Sequence, residues 1–306
     1  MLIPIEQILS FWLVKYPGEG AALGAACLWA VSSVIYGSLE REIPPMHLNL
    51  LKGAIAITLL GLTLLVRGIS LPAMTTTNLC LLLLSGSIGI GLGDTAFFAS
   101  LNCLGARRAL LMETLAPPIT AILALIFLQE RLKASTWVGI LLTVVGVAWV
   151  VTERVPASAG RPVHLRKGII FGIIAAISLA IGGILARAAI ANTSISPLWA
   201  ALLRIVAGVV SLLPWLRIQH NYFARKQPLR VFAKIGFAAF MGTYLGIWLQ
   251  QTAIKFTEVG IALTLTNTAP LFILPIAAFN KEKPSIRAIL GAGIAISGIA
   301  TIFYLS

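Results

Sequence analysis

The sequence predicts an all-α membrane protein of about ten transmembrane helices, arranged as two inverted five-helix repeats. Three observations carry that expectation. Of 306 residues, 58% are hydrophobic and only 11% charged, and mean hydropathy is +0.96; a soluble domain carries about 25% charged residues. The apolar residues fall in ten long runs rather than in amphipathic stripes. The two halves of the chain repeat the same ordered pattern of small, basic and proline residues.

The runs lie at about 20–38, 45–66, 78–102, 106–128, 134–152, 168–188, 196–216, 231–254, 259–279 and 286–305. A bilayer span needs roughly 20 mostly apolar residues, and backbone groups in lipid must be satisfied within the segment, so each run reads as a helix. The first contains Gly20 and Gly24 and the polar face Trp29, Ser32, Ser33. The second opens at Pro45 and carries Lys52; the third holds Gly89-x-Gly91-x-Gly93 and Asp94. Glu113 and Pro117-Pro118 lie in the fourth run, and Gly139 and Gly146 in the fifth. The longest connections follow residues 152 and 216, and the first of them, ERVPASAGRPVHLRK (153–167), divides the chain. Residues 1–17 precede the spans; 1–14 lack the basic start and small-residue cleavage site of a signal peptide and read as an interfacial amphipathic segment with Glu6 on its polar side.

The repeat is the most informative feature. Gly89-x-x-Leu92-Gly93 recurs 153 residues later as Gly242-x-x-Leu245-Gly246. At the same offset Ala109-Leu110 matches Ala262-Leu263, and Ala116-Pro117 matches Ala269-Pro270. One residue is then lost, after which Glu130-Arg131 matches Glu282-Lys283, Gly139 matches Gly291 and Gly146 matches Gly298. Earlier, Pro45 and Lys52 match Pro197 and Arg204, and Gly20 and Gly24 match Gly168 and Gly172. The repeats are therefore 18–152 and 168–306. Five spans per repeat is an odd number, so the second enters the membrane from the opposite side, the inverted arrangement that secondary transporters use to alternate access.

This ordered set resembles the drug/metabolite transporter superfamily, EamA type, over residues 18–305. The resemblance implies metabolite export across the cell membrane through a central cavity lined by spans 1, 3, 4, 6, 8 and 9. It also implies cytoplasmic termini. Counting bases points the other way: of 23 Lys and Arg, six fall on the terminal side, 15 on the opposite side, and Lys52 and Arg204 within spans. An even number of spans puts both termini on one side in either case.

Ionisable groups inside a span are costly and mark partners or pathways. Lys52, Asp94, Glu113 and Arg204 are the four. Asp94 and Glu113 sit at similar depth on either side of the turn near Cys103–Leu104, roughly 14 Å from it at 1.5 Å per residue. Lys52 enters from the same side. One carboxylate is expected to pair with Lys52. The other, in low dielectric where its charged form is disfavoured, suits proton coupling or cation binding. A static charge network is the competing reading. Lys52 and Arg204 match a basic position seen in the second and seventh spans of the resembling family, either as anion contacts or as structural bases, the structural role being favoured for Arg204.

The uncharged candidates for gripping a metabolite are Trp29, Ser32, Ser33, Tyr244, Trp248, Gln250, Gln251 and Asn267, with interhelical bonding and packing as the alternative. Pro117, Pro118 and Pro270 are expected to kink their helices.

Cys27, Cys80 and Cys103 lack metal spacing and read as small buried hydrophobes, and no histidine has ligand spacing. The glycines 89, 91 and 93 follow no strand, so they are not a nucleotide loop. No metal site and no cofactor is expected. The net charge of +13 sits between apolar runs, which favours loops facing anionic lipid over a nucleic-acid partner. The expected partners are a small-molecule substrate and the lipid bilayer; a monomer is compatible with the sequence. No nucleophile–base pair is present, so an enzyme is not expected. The leading function is export of amino acids or related metabolites, ahead of a multidrug or organic-cation exporter, and then of a non-transporting interaction protein or an intramembrane enzyme.

Overall fold

The computed structural model describes residues 15–39, 43–104, 106–152, 164–216, 229–279 and 285–305. The interfacial segment expected over 1–14, with Glu6, and residues 153–163 of the linker lie outside the described residues. Among the described residues all regular structure is helical. The spans are α1 Pro17–Leu39, α2 Pro45–Val66, α3 Thr76–Leu104, α4 in two segments, Ala106–Glu113 and Ala116–Leu128, and α5 Ala134–Val151. Then come α6 Leu165–Ile190, α7 Pro197–Leu216, α8 Leu229–Phe256, α9 in two segments, Val259–Thr266 and Ala269–Phe279, and α10 Ile286–Leu305. Nine of these are long and apolar enough to cross a membrane; the apolar stretch of α9, Val259–Ile273, is shorter. The start of α1 meets the end of α10, where the Tyr16 and Phe303 rings pack edge to face at 5.2 Å. We call this the terminal end of the bundle.

Burial follows the logic of lipid rather than of water. Large side chains such as Leu62, Leu65, Leu141, Val145 and Ile296 face outward, while many alanines are buried inside among leucines and isoleucines. Without a hydrophobic drive between helices, association depends on close packing and interhelical hydrogen bonds, which small residues permit. Ser85 and Ser100 of α3 donate to the carbonyls of Gly182 and Gly168 on α6 at 2.6 and 2.9 Å.

The repeated glycine motif has a local consequence. The first copy lies within a stretch of wide i→i+5 turns, Ser87–Asp94 in α3, and the second ends such a stretch, Ala239–Leu245 in α8, with Gly246 opening the α-helix that follows. Such turns free backbone carbonyls, which in a membrane must find donors. Asn49 of α2 donates to the Ile90 carbonyl at 2.8 Å, and the Trp29 indole of α1 donates to that of Gly242 at 2.8 Å.

The prolines act differently from expectation. Instead of kinking a continuous helix, Pro117 and Pro118 occupy the first turn of a fresh segment after the break at Thr114–Leu115, and Pro270 likewise stands in the first turn after the break at Asn267–Thr268. A first-turn proline lacks only an N–H that has no helical partner anyway.

The fifth helix of each half, α5 and α10, pack on each other through Gly139, Gly146, Gly291 and Gly298. A Cβ on Gly146 would stand 2.6 Å from the Gly291 carbonyl oxygen, and one on Gly298 would stand 2.7 Å from that of Gly139. Backbone therefore meets backbone along this pair, away from the cavity described next.

Candidate functional site

A cavity of about 150 Å³ lies between the helices. Its walls come from α1 (Trp29, Ser32, Ser33, Tyr36), α2 (Lys52), α3 (Gly89, Asp94, Phe97, Phe98, Leu101) and α4 (Leu110, Glu113). Leu179 of α6, Arg204 of α7, Thr243, Ile247 and Gln250 of α8, and Thr266, Asn267 and Pro270 of α9 complete it. Most of this wall is apolar or aromatic, and all four intramembrane charges border it.

The charges are not equivalent. Lys52 pairs with Asp94, and its ammonium also lies 5.0 Å from the centre of the Phe98 ring. The Lys52 side chain is 7% exposed while that of Asp94 is 31% exposed, so of the two wall residues the carboxylate is the more open. Glu113, the last residue of the first α4 segment, has no hydrogen-bond or ion-pair partner among the described residues. Arg204 is 2% exposed, and its Nε and Nη1 are buried without a partner. It sits where α7 crosses the wide-turn stretch of α3: a Cβ on Gly86 would stand 2.6 Å from the Arg204 Cα, and one on Gly89 would stand 3.2 Å from Nη2. Glycine at 89 thus leaves room for the guanidinium beside Nη2.

The uncharged candidates divide. The hydroxyls of Ser32 and Ser33 donate to their own helix, to Trp29 and Ala30 carbonyls at 3.2 and 3.0 Å. The Asn267 amide donates to the Leu263 carbonyl at 2.9 Å, bracing the break in α9. Gln250 borders the cavity at 4% exposure. Tyr244 and Trp248 do not line it. They pack beside Leu60 and Leu64 of α2; Tyr244 shares a 2.8 Å hydrogen bond with Thr63, and Arg67 lies over the Trp248 ring at 5.4 Å. Pro117 and Pro118 also lie off the wall, and Gln251 is fully buried elsewhere with its amide unpartnered.

Several wall residues escaped the sequence reading although a signal existed. Tyr36 continues the face of Trp29 and Ser33 at i+7 and i+3, and Phe97 and Phe98 follow Asp94 at i+3 and i+4. Leu179 and Thr243 carried no such mark.

A second polar cluster closes the terminal end. Glu130, just past the end of α4, accepts from Arg187 Nε at 2.6 Å. Arg187 Nη1 also donates to the carbonyls of Ile254 and Lys255 at 2.7 and 2.8 Å, and the other Glu130 oxygen accepts from the Val259 backbone N–H at 3.0 Å. Lys255 donates to the Thr193 and Ile195 carbonyls at 3.0 and 2.7 Å. Helix C-termini present free carbonyls to cations, and an N-terminus presents free N–H groups to a carboxylate. The ends of α4, α6 and α8 and the start of α9 are thereby tied at one point.

The model of the EamA-like transporter family matches residues 16–152 and again residues 166–304. The chain belongs to the EamA-like transporter family. It is therefore a multi-pass membrane transporter of the drug/metabolite transporter superfamily. Its relatives include the Bacillus subtilis (strain 168) "Uncharacterized transporter YetK", 23% identical over 93% of this chain and 86% of that protein. Another from the same organism, "Uncharacterized transporter YyaM", is 27% identical over 71% of this chain and 70% of its own. An "Uncharacterized transporter" of Archaeoglobus fulgidus is 23% identical over 91% of this chain and 95% of its own. One solved crystal structure superposes with a TM-score of 0.76 at 15% identity, covering 94% of this chain and 97% of the other, and supports the fold. Spans 1, 3, 4, 6, 8 and 9, which the family resemblance implies as the lining, all contribute here, and α2 and α7 add the two bases.

Proposed function

We propose that this transporter is a secondary active exporter of amino acids or related small metabolites, working by alternating access through the cavity. One observation carries the reading: a cavity of about 150 Å³ holds an ion pair and two further charged residues within a mainly apolar wall. Uncommitted charges at that depth are expensive and are expected on a pathway. The size favours a small solute, since drug-sized ligands take pockets of about 300–1,000 Å³; this ranks the organic-cation or multidrug reading second. Transport requires binding and movement but no nucleophile, so no catalytic role is assigned to any residue.

In this reading Glu113, which has no base of its own, is the proton-coupling group, and Asp94 is the ion-pair partner of Lys52. The broken spans α4 and α9 bring Glu113 and Asn267 to the cavity at their breaks, which suits elements that must shift between two states. Purified protein in proteoliposomes, loaded with a panel of amino acids and driven by a pH gradient, tests it. Glu113→Gln should remove the acceleration of flux by the gradient while leaving exchange of solute across the membrane, and Asp94→Asn should lower both. Gradient-driven flux that is unchanged in both variants would rule the coupling role out.

A further inference from the structure

Four charged residues border the cavity, and the geometry separates them into used and unused. Lys52 is taken by Asp94. Arg204 is not taken by anything: it is 2% exposed, two of its three guanidinium nitrogens are buried without a partner, and the side chain belongs to the cavity wall. A buried guanidinium carries five N–H donors and stays charged in proteins. Leaving such donors unmet costs the full desolvation of the group, which far exceeds what packing alone would justify. The surroundings are shaped for the side chain, because glycine at 89 leaves room beside Nη2 where a Cβ would stand at 3.2 Å. The position also fits. Arg204 is seven residues past Pro197 and Lys52 seven past Pro45, so each enters from its own end of the bundle, about 10 Å deep. The cavity lies between them, with Phe97, Phe98 and Leu101 on its wall.

We propose that Arg204 is the anion subsite of this transporter, taking the carboxylate of a small amino acid through its planar fork while the solute's apolar side chain lies along Phe97, Phe98 and Leu101. The assignment rests on the reading of the cavity as the solute path and narrows the solute to a carboxylate-bearing one. A carboxylate accepts two parallel N–H bonds from a guanidinium, which a single ammonium cannot supply.

The test compares three probes on purified full-length protein by thermal stabilisation: L-leucine, L-leucinamide, which lacks the carboxylate, and 4-methylpentanoate, which lacks the ammonium. A ligand raises the melting temperature of the state it binds. L-leucine and 4-methylpentanoate should stabilise the wild type, and L-leucinamide should not. Arg204→Gln should weaken both responses roughly 10- to 100-fold, the worth of a charge-assisted hydrogen bond, and Arg204→Lys should fall between. If Arg204→Gln does not purify as a folded protein, the comparison of the three probes on the wild type decides alone. Equal stabilisation by L-leucinamide, an undiminished response in Arg204→Gln, or no response to any probe would overturn the assignment. The parent reading fails separately: a stabilising carboxylate that is never moved across proteoliposomes defeats transport but not the subsite. Amino-acid flux indifferent to Arg204→Gln defeats the subsite but not transport.

Discussion

Replacing Gly146 with leucine should remove the protein from the folded membrane fraction. At this position even a Cβ would stand 2.6 Å from the Gly291 carbonyl oxygen and 2.7 Å from the Ala295 Cα. Both obstacles are backbone, so no rotamer change relieves them. The helices α5 and α10 must separate, which withdraws the packing on which the pair depends, and in lipid no hydrophobic drive restores it. Overpacking of a well-filled interior costs about 1–3 kcal/mol per site, and a leucine against two backbones falls at or beyond the top of that range. The expected readout is loss of the monodisperse peak in size-exclusion chromatography of detergent extracts. Gly293→Leu on α10 is the control, since its Cβ would meet nothing within 4 Å, and it should behave as wild type. A monodisperse, fully active Gly146→Leu protein would contradict the backbone contact between α5 and α10.

Arg187→Ala should lower thermal stability by roughly 6 °C, equivalent to about 3 kcal/mol for a chain of this size. The residue bonds Glu130 and two terminal carbonyls of α8 together. The side chains of Arg187 and Glu130 are 16% and 12% exposed, so water screens the pair only in part, and the figure is set at the low end for a broken buried pair. Removing the arginine leaves the Glu130 carboxyl group with only the Val259 N–H as a partner. Arg187→Lys should recover part of the loss, because it restores charge without the fork that meets three acceptors at once. Melting of the purified variants checks this, and a shift below about 2 °C for Arg187→Ala would show that the clasp contributes little.

The architecture was largely legible in the sequence because bilayer physics acts on long runs. Length and apolarity mark each span, and the recurrence of Gly89-x-x-Leu92-Gly93 at Gly242-x-x-Leu245-Gly246 marks a shared local structure, which turns out to be wide helical turns. What those glycines do to the backbone was not legible, since glycine tolerates a wide turn and a close approach alike. Intramembrane charge marked Lys52, Asp94, Glu113 and Arg204, all of which border the cavity. Which carboxylate takes Lys52 depended on the angle of two helices, and residue spacing alone could not choose. Tyr244 and Trp248 show the opposite limit. Their spacing marks one face of α8, but that face meets α2 rather than the cavity. The Glu130–Arg187 clasp was hidden because both residues stand at span ends, where bases and acids are ordinarily solvated. Their partners are backbone atoms that no side-chain pattern reveals.

The central claim is that one cavity serves both faces of the membrane in turn. A single cysteine at Ser33, which lines the cavity, tests it directly in a background with Cys27, Cys80 and Cys103 replaced by alanine. A membrane-impermeant maleimide is applied to sealed vesicles of each orientation, with and without L-leucine. Alternating access gives labelling of Ser33→Cys from either face, slowed by solute from both. Labelling from one face alone, or labelling that solute leaves untouched, would contradict the claim.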